Sequence, residues 1–195
     1  MKPRRGGHII PMDRKYRIYD FWTALRQYLF LFFAASFIGY IWEVFLCSLK
    51  DGILYNRGFF YGPWLPVYGT GAVLLFFSLR FLAARPVCVF VLSLLLGGGV
   101  ELAAGLLLDV CFGLRYWDYR GSMLNVNGYI CLVSVMTFGL AGMLWVCFIS
   151  RYLLSLWDRV LPGRQELILS LLSFFFMLDL AAACILPHVG LGITS

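Results

Sequence analysis

The chain has 195 residues, of which 62% are hydrophobic and only 13% charged, and this composition cannot give a soluble domain its polar surface. The sequence therefore predicts an all-α fold, a polytopic transmembrane helix bundle. The 16 basic residues exceed the 10 acidic ones but form no recognisable nucleic-acid-binding motif. We expect them to contact membrane lipids and not nucleic acid.

The first 27 residues form a basic segment, and the basic residues as a whole predict the orientation of the chain. Lys and Arg accumulate on the cytoplasmic side of membrane proteins. Placing residues 1–27 inside leaves 12 basic residues inside and 4 outside. This predicts a multi-pass protein of the cell membrane with its N-terminus in the cytoplasm and a short outer tail, 188–195.

Between these ends, residues 28–187 form the predicted transmembrane domain, with about five spans. A helix needs about 20 apolar residues to cross a bilayer. Five stretches reach that length: 28–49, 64–84, 86–108, 127–149 and 166–187.

Three carboxylates interrupt these apolar spans: Glu43, Glu101 and Asp179. Counted along each helix, all three lie about 9–12 Å below the outer surface. Glu43 follows Gly39 by four residues, and Glu101 has Gly97 and Gly105 four residues to either side. Small residues allow close helix contact, and carboxylates in lipid usually face a partner or a water-filled cavity. We therefore expect the two glutamates to face a shared polar interior. The alternative is that the carboxylates only bind neighbouring helices.

The loop after the first span is rich in aromatic residues, glycine and proline. Two prolines and three glycines within 58–69 oppose a regular helix start. Irregular backbone at membrane depth persists only where it is buried or lines a cavity. We therefore predict a structured or re-entrant loop on the outer side, with Arg57, Tyr61 and Tyr68 facing a pocket.

The second outer loop, 115–128, alternates aromatic and polar side chains. Interfacial aromatic residues alone could explain Trp117 and Tyr119. Asp118, Asn125 and Asn127 add hydrogen-bonding groups that such a belt does not require, so we predict a structured polar surface at these five residues.

No metal site or cofactor is expected. The six cysteines contain no Cys-x-x-Cys pair, and small apolar packing is the common role of a membrane cysteine. A disulfide among the four predicted outer cysteines stays open. Neither histidine lies in a catalytic pattern, and the chain lacks the phosphate loop Gly-x4-Gly-Lys-Ser/Thr. ATP hydrolysis would therefore need another polypeptide.

Five sequence blocks resemble a known family. They are Trp42-Glu43, Gly58-Phe59-Phe60-Tyr61-Gly62-Pro63, Pro66-Val67-Tyr68-Gly69, Trp117-Asp118-Tyr119 and Asn127-Gly128-Tyr129-Ile130-Cys131-Leu132. Together they are similar to the signature of the bacterial CmpB-like proteins, the ABC-transporter type IV family, over about 33–144. The family pattern differs at three positions: Ser at 120, Arg at 129 and often Glu at 109. The resemblance implies a permease of the bacterial inner membrane.

Three classes of function are compatible with these features. The first is a transport component with an outward-facing polar pocket, which acts as a homo-oligomer or with partner membrane or ATPase subunits. The second is a membrane-embedded enzyme that acts on a lipid or lipid-linked substrate, with a glutamate as general base. The third is a non-catalytic scaffold or sensor. We favour the first, because no complete catalytic motif accompanies the buried charges.

Overall fold

The computed structural model describes residues 14–51, 60–113, 115 and 117–185, and their regular structure is helical. The α-helices are α1 (Arg14–Asp51), α2 (Pro66–Leu79), α3 (Pro86–Phe112), α4 (Leu132–Leu144), α5 (Ser150–Trp157) and α6 (Pro162–Ile185). A 3-10 turn extends α2 to Leu82, and a π-helical segment, Trp145–Ile149, joins α4 to α5. Within the described ranges the extended pairing is one isolated bridge, between Val126 and Ile130. The all-α prediction is confirmed.

Four of these helical stretches are long and apolar enough to cross a membrane. They are Phe21–Leu46, Pro86–Cys111, Leu132–Trp157 and Pro162–Ile185. The second predicted span, 64–84, forms only the shorter apolar helix Pro66–Leu82. The described part of the chain is therefore a polytopic bundle of four candidate spans and one shorter helix.

The described end of the first outer loop, residues 60–65, runs along the bundle before α2 starts. The Leu65 N–H donates to the Ser36 carbonyl at 3.2 Å, and Ser36 lies ten residues, about 15 Å along the helix, before Leu46 at the end of the first span. The Phe60 ring stacks on Phe176 of α6, with centroids 5.3 Å apart. This segment thus packs against the first candidate span and against α6, as expected of a structured or re-entrant loop.

The helices pack as two hairpins, α1 with α2 and α3 with α4. In the first hairpin Gly39 lies against the Tyr68 ring, and in the second Gly97 lies against Phe138. A methyl group at either glycine would overlap these rings. The small residues predicted to permit close helix contact therefore do so in both hairpins.

The two hairpins meet at the π-helical segment. The Trp145 indole N–H donates to the Ala72 carbonyl of α2 at 2.9 Å. Around this contact lies a core that includes Leu31, Val89 and Val146, all fully buried. The Trp145–Ala72 hydrogen bond and the surrounding core therefore hold α2 against the second hairpin.

Helix α6 packs mainly on α1. The guanidinium of Arg26 donates to Glu166 at 2.8 Å, and Phe30 stacks on Trp157 at 4.3 Å between ring centroids. The Arg26–Glu166 contact holds the start of α6 against α1, and the Phe30–Trp157 stack holds the end of α5 against α1.

The fourth predicted span, 127–149, is displaced along the chain. Its helix starts at Leu132 because Asn127 and Gly128 have positive φ angles and Cys131 caps the helix in a capping box with Ser134. It continues beyond 149 to Trp157. The exposed Arg151 side chain reaches away from the bundle, so its charge does not end the helix.

Candidate functional site

Glu101 of α3 is a half-buried carboxylate that accepts two hydrogen bonds from hydroxyl groups. The Tyr119 hydroxyl donates to Oε1 at 3.1 Å, and Ser134 Oγ donates to Oε2 at 2.8 Å. Tyr119 belongs to the second outer loop, and Ser134 is the third residue of α4. The carboxylate therefore ties the loop and α4 to α3.

The Tyr119 phenol remains a hydrogen-bond donor over the physiological pH range. Burial raises its pKa to about 12, and the nearby negative charge of Glu101 acts in the same direction. Deprotonation would place two negative charges side by side. Tyr119 can therefore hold Glu101 but does not exchange protons with it near neutral pH.

A second polar cluster lies eight residues further along α3, about 12 Å from Glu101 along the helix axis. Asp109 accepts from the Arg115 guanidinium and from the Tyr129 hydroxyl, each at 2.7 Å. The Arg115 guanidinium also lies over the Tyr129 ring, 4.6 Å from its centroid. Hydrogen bonding to Asp109 raises the pKa of Arg115 and of Tyr129. The two clusters form one polar stripe along α3.

The loop between α3 and α4 is ordered by its own hydrogen bonds. The Tyr119 N–H donates to the Gly128 carbonyl at 2.9 Å, and the Asn125 amide donates to the Ser122 carbonyl at 2.8 Å. Gly128 has a φ of 79°, and a methyl group there would overlap the Asp118 carboxylate. Only glycine fits this position without strain. The described residues of this loop are therefore linked to one another by hydrogen bonds, and the polar surface predicted there stays a prediction.

This folded loop bounds an open cleft of about 570 Å³. Its described lining residues are Arg115, Arg120, Asn125, Asn127 and Tyr129. The cleft is therefore polar and cationic. It lies beside Asp109, at the loop end of the polar stripe.

Glu43 in the first hairpin has a counterpart arrangement. Its carboxylate accepts a hydrogen bond from the Tyr68 hydroxyl, and Tyr68 is the third residue of α2, as Ser134 is of α4. In each hairpin a glutamate follows a glycine by four residues and binds a hydroxyl near the start of the returning helix. The two hairpins thus share a pattern. The sequence shows the four-residue step from glycine to glutamate in each hairpin, and the structure adds the hydroxyl partner on the returning helix.

Asp179 has a different partner, the backbone of the re-entrant segment. Its two oxygens accept from the N–H groups of Tyr61 and Gly62, at 3.0 and 2.9 Å. The carboxylate therefore anchors irregular backbone that has no helix to satisfy it. These partners of Asp179 belong to the segment between α1 and α2 and not to a neighbouring helix.

The structure divides the predicted site residues among three places. The second hairpin and its loop hold Glu101, Trp117, Asp118, Tyr119, Asn125 and Asn127. The first hairpin holds Glu43 and Tyr68, and Tyr61 lies at Asp179. Arg57 lies outside the described residues. The expectation that Glu43 and Glu101 share one cavity stays a prediction.

Four residues of this site were not among the predicted ones: Asp109, Arg115, Tyr129 and Ser134. A signal for Asp109 was present, since it continues the stripe of Glu101 and Gly105 at steps of four. Ser134 carried no such signal. Its role depends on a helix start that is fixed by the Cys131 cap.

Five cysteines with described side chains are free thiols: Cys88, Cys111, Cys131, Cys147 and Cys184. Among the described residues, no three or more His, Cys, Asp or Glu side chains lie close enough together to hold a metal ion.

A family model described as "Putative ABC-transporter type IV" matches residues 30–184. The match covers α1 from residue 30 onward, all of α2 to α5 and nearly all of α6. No curated protein and no solved structure matches the chain.

Proposed function

We propose that this protein is the permease-like membrane component of a transport system. The proposal starts from the family match, because this chain belongs to the family described as "Putative ABC-transporter type IV". A polar pocket, open to the outer side, would receive the transported solute. Its residues would be Glu101, Tyr119 and the loop side chains around the cleft, with Glu43 and Tyr68 as the corresponding pair of the first hairpin. The N-terminus would be cytoplasmic, and the C-terminus would be outside.

The observation that carries this proposal is the polar stripe on α3. It runs from Asp109, which binds the cleft residues Arg115 and Tyr129, past Gly105 under the Trp117 and Tyr129 rings, to Glu101, ten residues before the end of the span at Cys111. Ten residues correspond to about 15 Å of helix. Carboxylates at such depth are costly in lipid and usually mark a solute or ion pathway. A stripe that continues from a surface cleft to a buried carboxylate fits such a pathway.

The repeated pattern of the two hairpins supports the same proposal. Many transporters are built from internal repeats, with substrate or ion sites near the repeat interface. Here each repeat contributes one glutamate with a hydroxyl partner on its returning helix. Five helices are few for a complete permease, so the protein would act as a homo-oligomer or with partner membrane subunits. Energy from ATP would come from a separate subunit.

One contact favours a second candidate function, a membrane-embedded enzyme. Ser134 Oγ lies 2.8 Å from the Glu101 carboxylate, a distance at which a base can accept a proton from a nucleophilic hydroxyl. The substrate would be a lipid or lipid-linked molecule of the outer leaflet. We rank this candidate second because Ser134 Oγ accepts a hydrogen bond from the Cys131 N–H at 3.2 Å, which is the bond of the capping box and gives the residue a structural role.

Purification of the tagged full-length protein from its native membrane separates the two candidates. We expect a nucleotide-binding subunit to co-purify and the complex to hydrolyse ATP. An untagged strain controls for non-specific capture. The enzyme candidate predicts instead that the isolated chain converts phospholipids or lipid-linked sugars without ATP. Such turnover, lost in Ser134→Ala, would overturn the transport proposal.

A further inference from the structure

The cleft between α3 and α4 combines cationic charge and hydrogen-bond donors. Arg115 contacts Asp109, and Arg120 contacts Asp118. Neither aspartate is among the lining residues of the cleft. Within the described part, the charged side chains that line the cleft are therefore the guanidinium groups of Arg115 and Arg120. The cleft volume of about 570 Å³ lies in the range of small-molecule sites.

The two arginines differ in how firmly they are held. Arg115 is 2.7 Å from Asp109 and also donates to the Asn127 carbonyl at 3.2 Å, so it is fixed in place. Arg120 is 67% exposed, and its ion-pair contact is that of Nε with Asp118 at 3.5 Å, so most of its guanidinium faces solvent. A guanidinium fork of this kind matches the oxygens of a phosphate. Arg120 is therefore the group able to bind an incoming anion.

The loop that bounds the cleft also exposes two apolar side chains, at residues just before the lining residue Asn125 in the chain. Met123 and Leu124 are 70% and 69% exposed, and Leu124 adopts a positive φ of 50°, which is rare for a leucine. Exposed apolar side chains next to basic groups are typical of a surface at the border between headgroups and acyl chains. The bound phosphate could therefore belong to a soluble solute or to a lipid headgroup.

We propose that this cleft binds an anionic phosphate ester, with Arg120 as its principal ligand and Arg115 and Asn127 as supporting groups. This inference rests on the proposed function, because it names the ligand class of the outward-facing pocket. Phosphate-bearing solutes and anionic phospholipids share the required chemistry.

The test measures the thermal unfolding midpoint of the full-length protein in a non-ionic detergent. One arm adds glycerol 3-phosphate, with glycerol and sodium chloride at equal ionic strength as controls. The other arm adds phosphatidylglycerol in mixed micelles, with phosphatidylcholine as control. A ligand that binds the folded state raises the midpoint. We expect at least one probe to do so where its control does not. A response in the first arm identifies a soluble ligand, and a response in the second identifies a headgroup.

Two variants and a matched control assign the effect to the cleft. Arg120→Gln should need about tenfold more of the active probe for the same shift, because a charge-assisted hydrogen bond is lost. Asn127→Asp should weaken the response as well, since aspartate tolerates the positive φ of this position but brings a negative charge. Arg164→Gln, at an exposed arginine of α6, should match the wild type.

Two results would overturn the inference: neither probe shifts the midpoint, or Arg120→Gln and Asn127→Asp respond as the wild type does. These results are independent of subunit co-purification. A protein that binds the probe through Arg120 but recruits no nucleotide-binding subunit would contradict the transport proposal alone.

Discussion

Under the transport proposal, Glu101→Gln is expected to lower the ATP hydrolysis of the complex strongly while leaving the protein folded. Glutamine keeps the volume of the side chain, but it carries no charge, cannot bind a proton and offers one acceptor oxygen, so it accepts from Ser134 or from Tyr119. Replacing two charge-assisted hydrogen bonds with one neutral bond costs about 1–3 kcal/mol of stability. The loss of activity should be far larger, on the order of 100-fold if Glu101 takes part in proton or solute transfer.

The comparison requires a glutamate whose contact is purely structural. Glu166 is suitable, because it pairs with Arg26 at 2.8 Å while its side chain is 68% exposed. Exposed ion pairs contribute about 0–1 kcal/mol, so Glu166→Gln should change neither activity nor stability appreciably. ATP hydrolysis by the purified complexes and their unfolding midpoints are measured side by side. Full activity of Glu101→Gln would remove this carboxylate from the mechanism.

Asp179→Ala should produce the largest loss of stability. The carboxylate satisfies two backbone N–H groups of the re-entrant segment, at Tyr61 and Gly62. Each unsatisfied buried polar group costs about 1–3 kcal/mol, and since the Tyr61 side is exposed we expect a total of about 2–3 kcal/mol. Asp179→Asn should lie between alanine and the wild type, because its amide offers only one acceptor oxygen.

Denaturant unfolding in detergent micelles measures these differences, and the rate of proteolysis within 60–65 reports release of the segment. Asp158→Ala is the matched control. That carboxylate is exposed and accepts one bond from Gln27 at 3.3 Å, so its loss should cost less than about 0.5 kcal/mol. If Asp179→Ala is no less stable than Asp158→Ala, the anchoring role of Asp179 is wrong.

The sequence predicted the helical architecture because span length and hydropathy depend on local composition. It also predicted the stripe of Glu101 on α3, which follows from helical periodicity. Hydropathy alone did not predict the shortening of α2, because 64–84 is largely apolar, although the prolines and glycines within 58–69 opposed an early helix start. The bond from Leu65 to the Ser36 carbonyl, which packs the segment against α1, is a tertiary contact.

The hydrogen-bond partners of Asp179 and Glu101 could not be predicted from the sequence either. Asp179 binds backbone N–H groups 117 and 118 residues away, and these groups carry no residue-type signal. Ser134 lies 33 residues from Glu101, and the contact requires α4 to start at Leu132 and not at 127. Helix boundaries that depend on a positive φ and a cap are the least predictable feature of a sequence.

The central claim, that the pocket around Glu101 opens to the outer side, is tested most directly by cysteine accessibility. Ser134→Cys places a thiol beside Glu101 with little change in volume. Val100→Cys lies next to Glu101 in the chain, hence at nearly the same depth, but Val100 is 68% exposed on the apolar surface. Each is introduced into a chain without its native cysteines, with Cys131→Ser chosen to keep the helix cap. Intact cells are then treated with an impermeant cationic thiol reagent.

We predict that the thiol at 134 reacts and the thiol at 100 does not, because a charged reagent follows the polar stripe but does not enter hydrocarbon. Reagent supplied only from the cytoplasmic face of inverted vesicles should label neither. An unreactive thiol at 134, or labelling of 134 only from the cytoplasmic face, would contradict an outward-facing pocket.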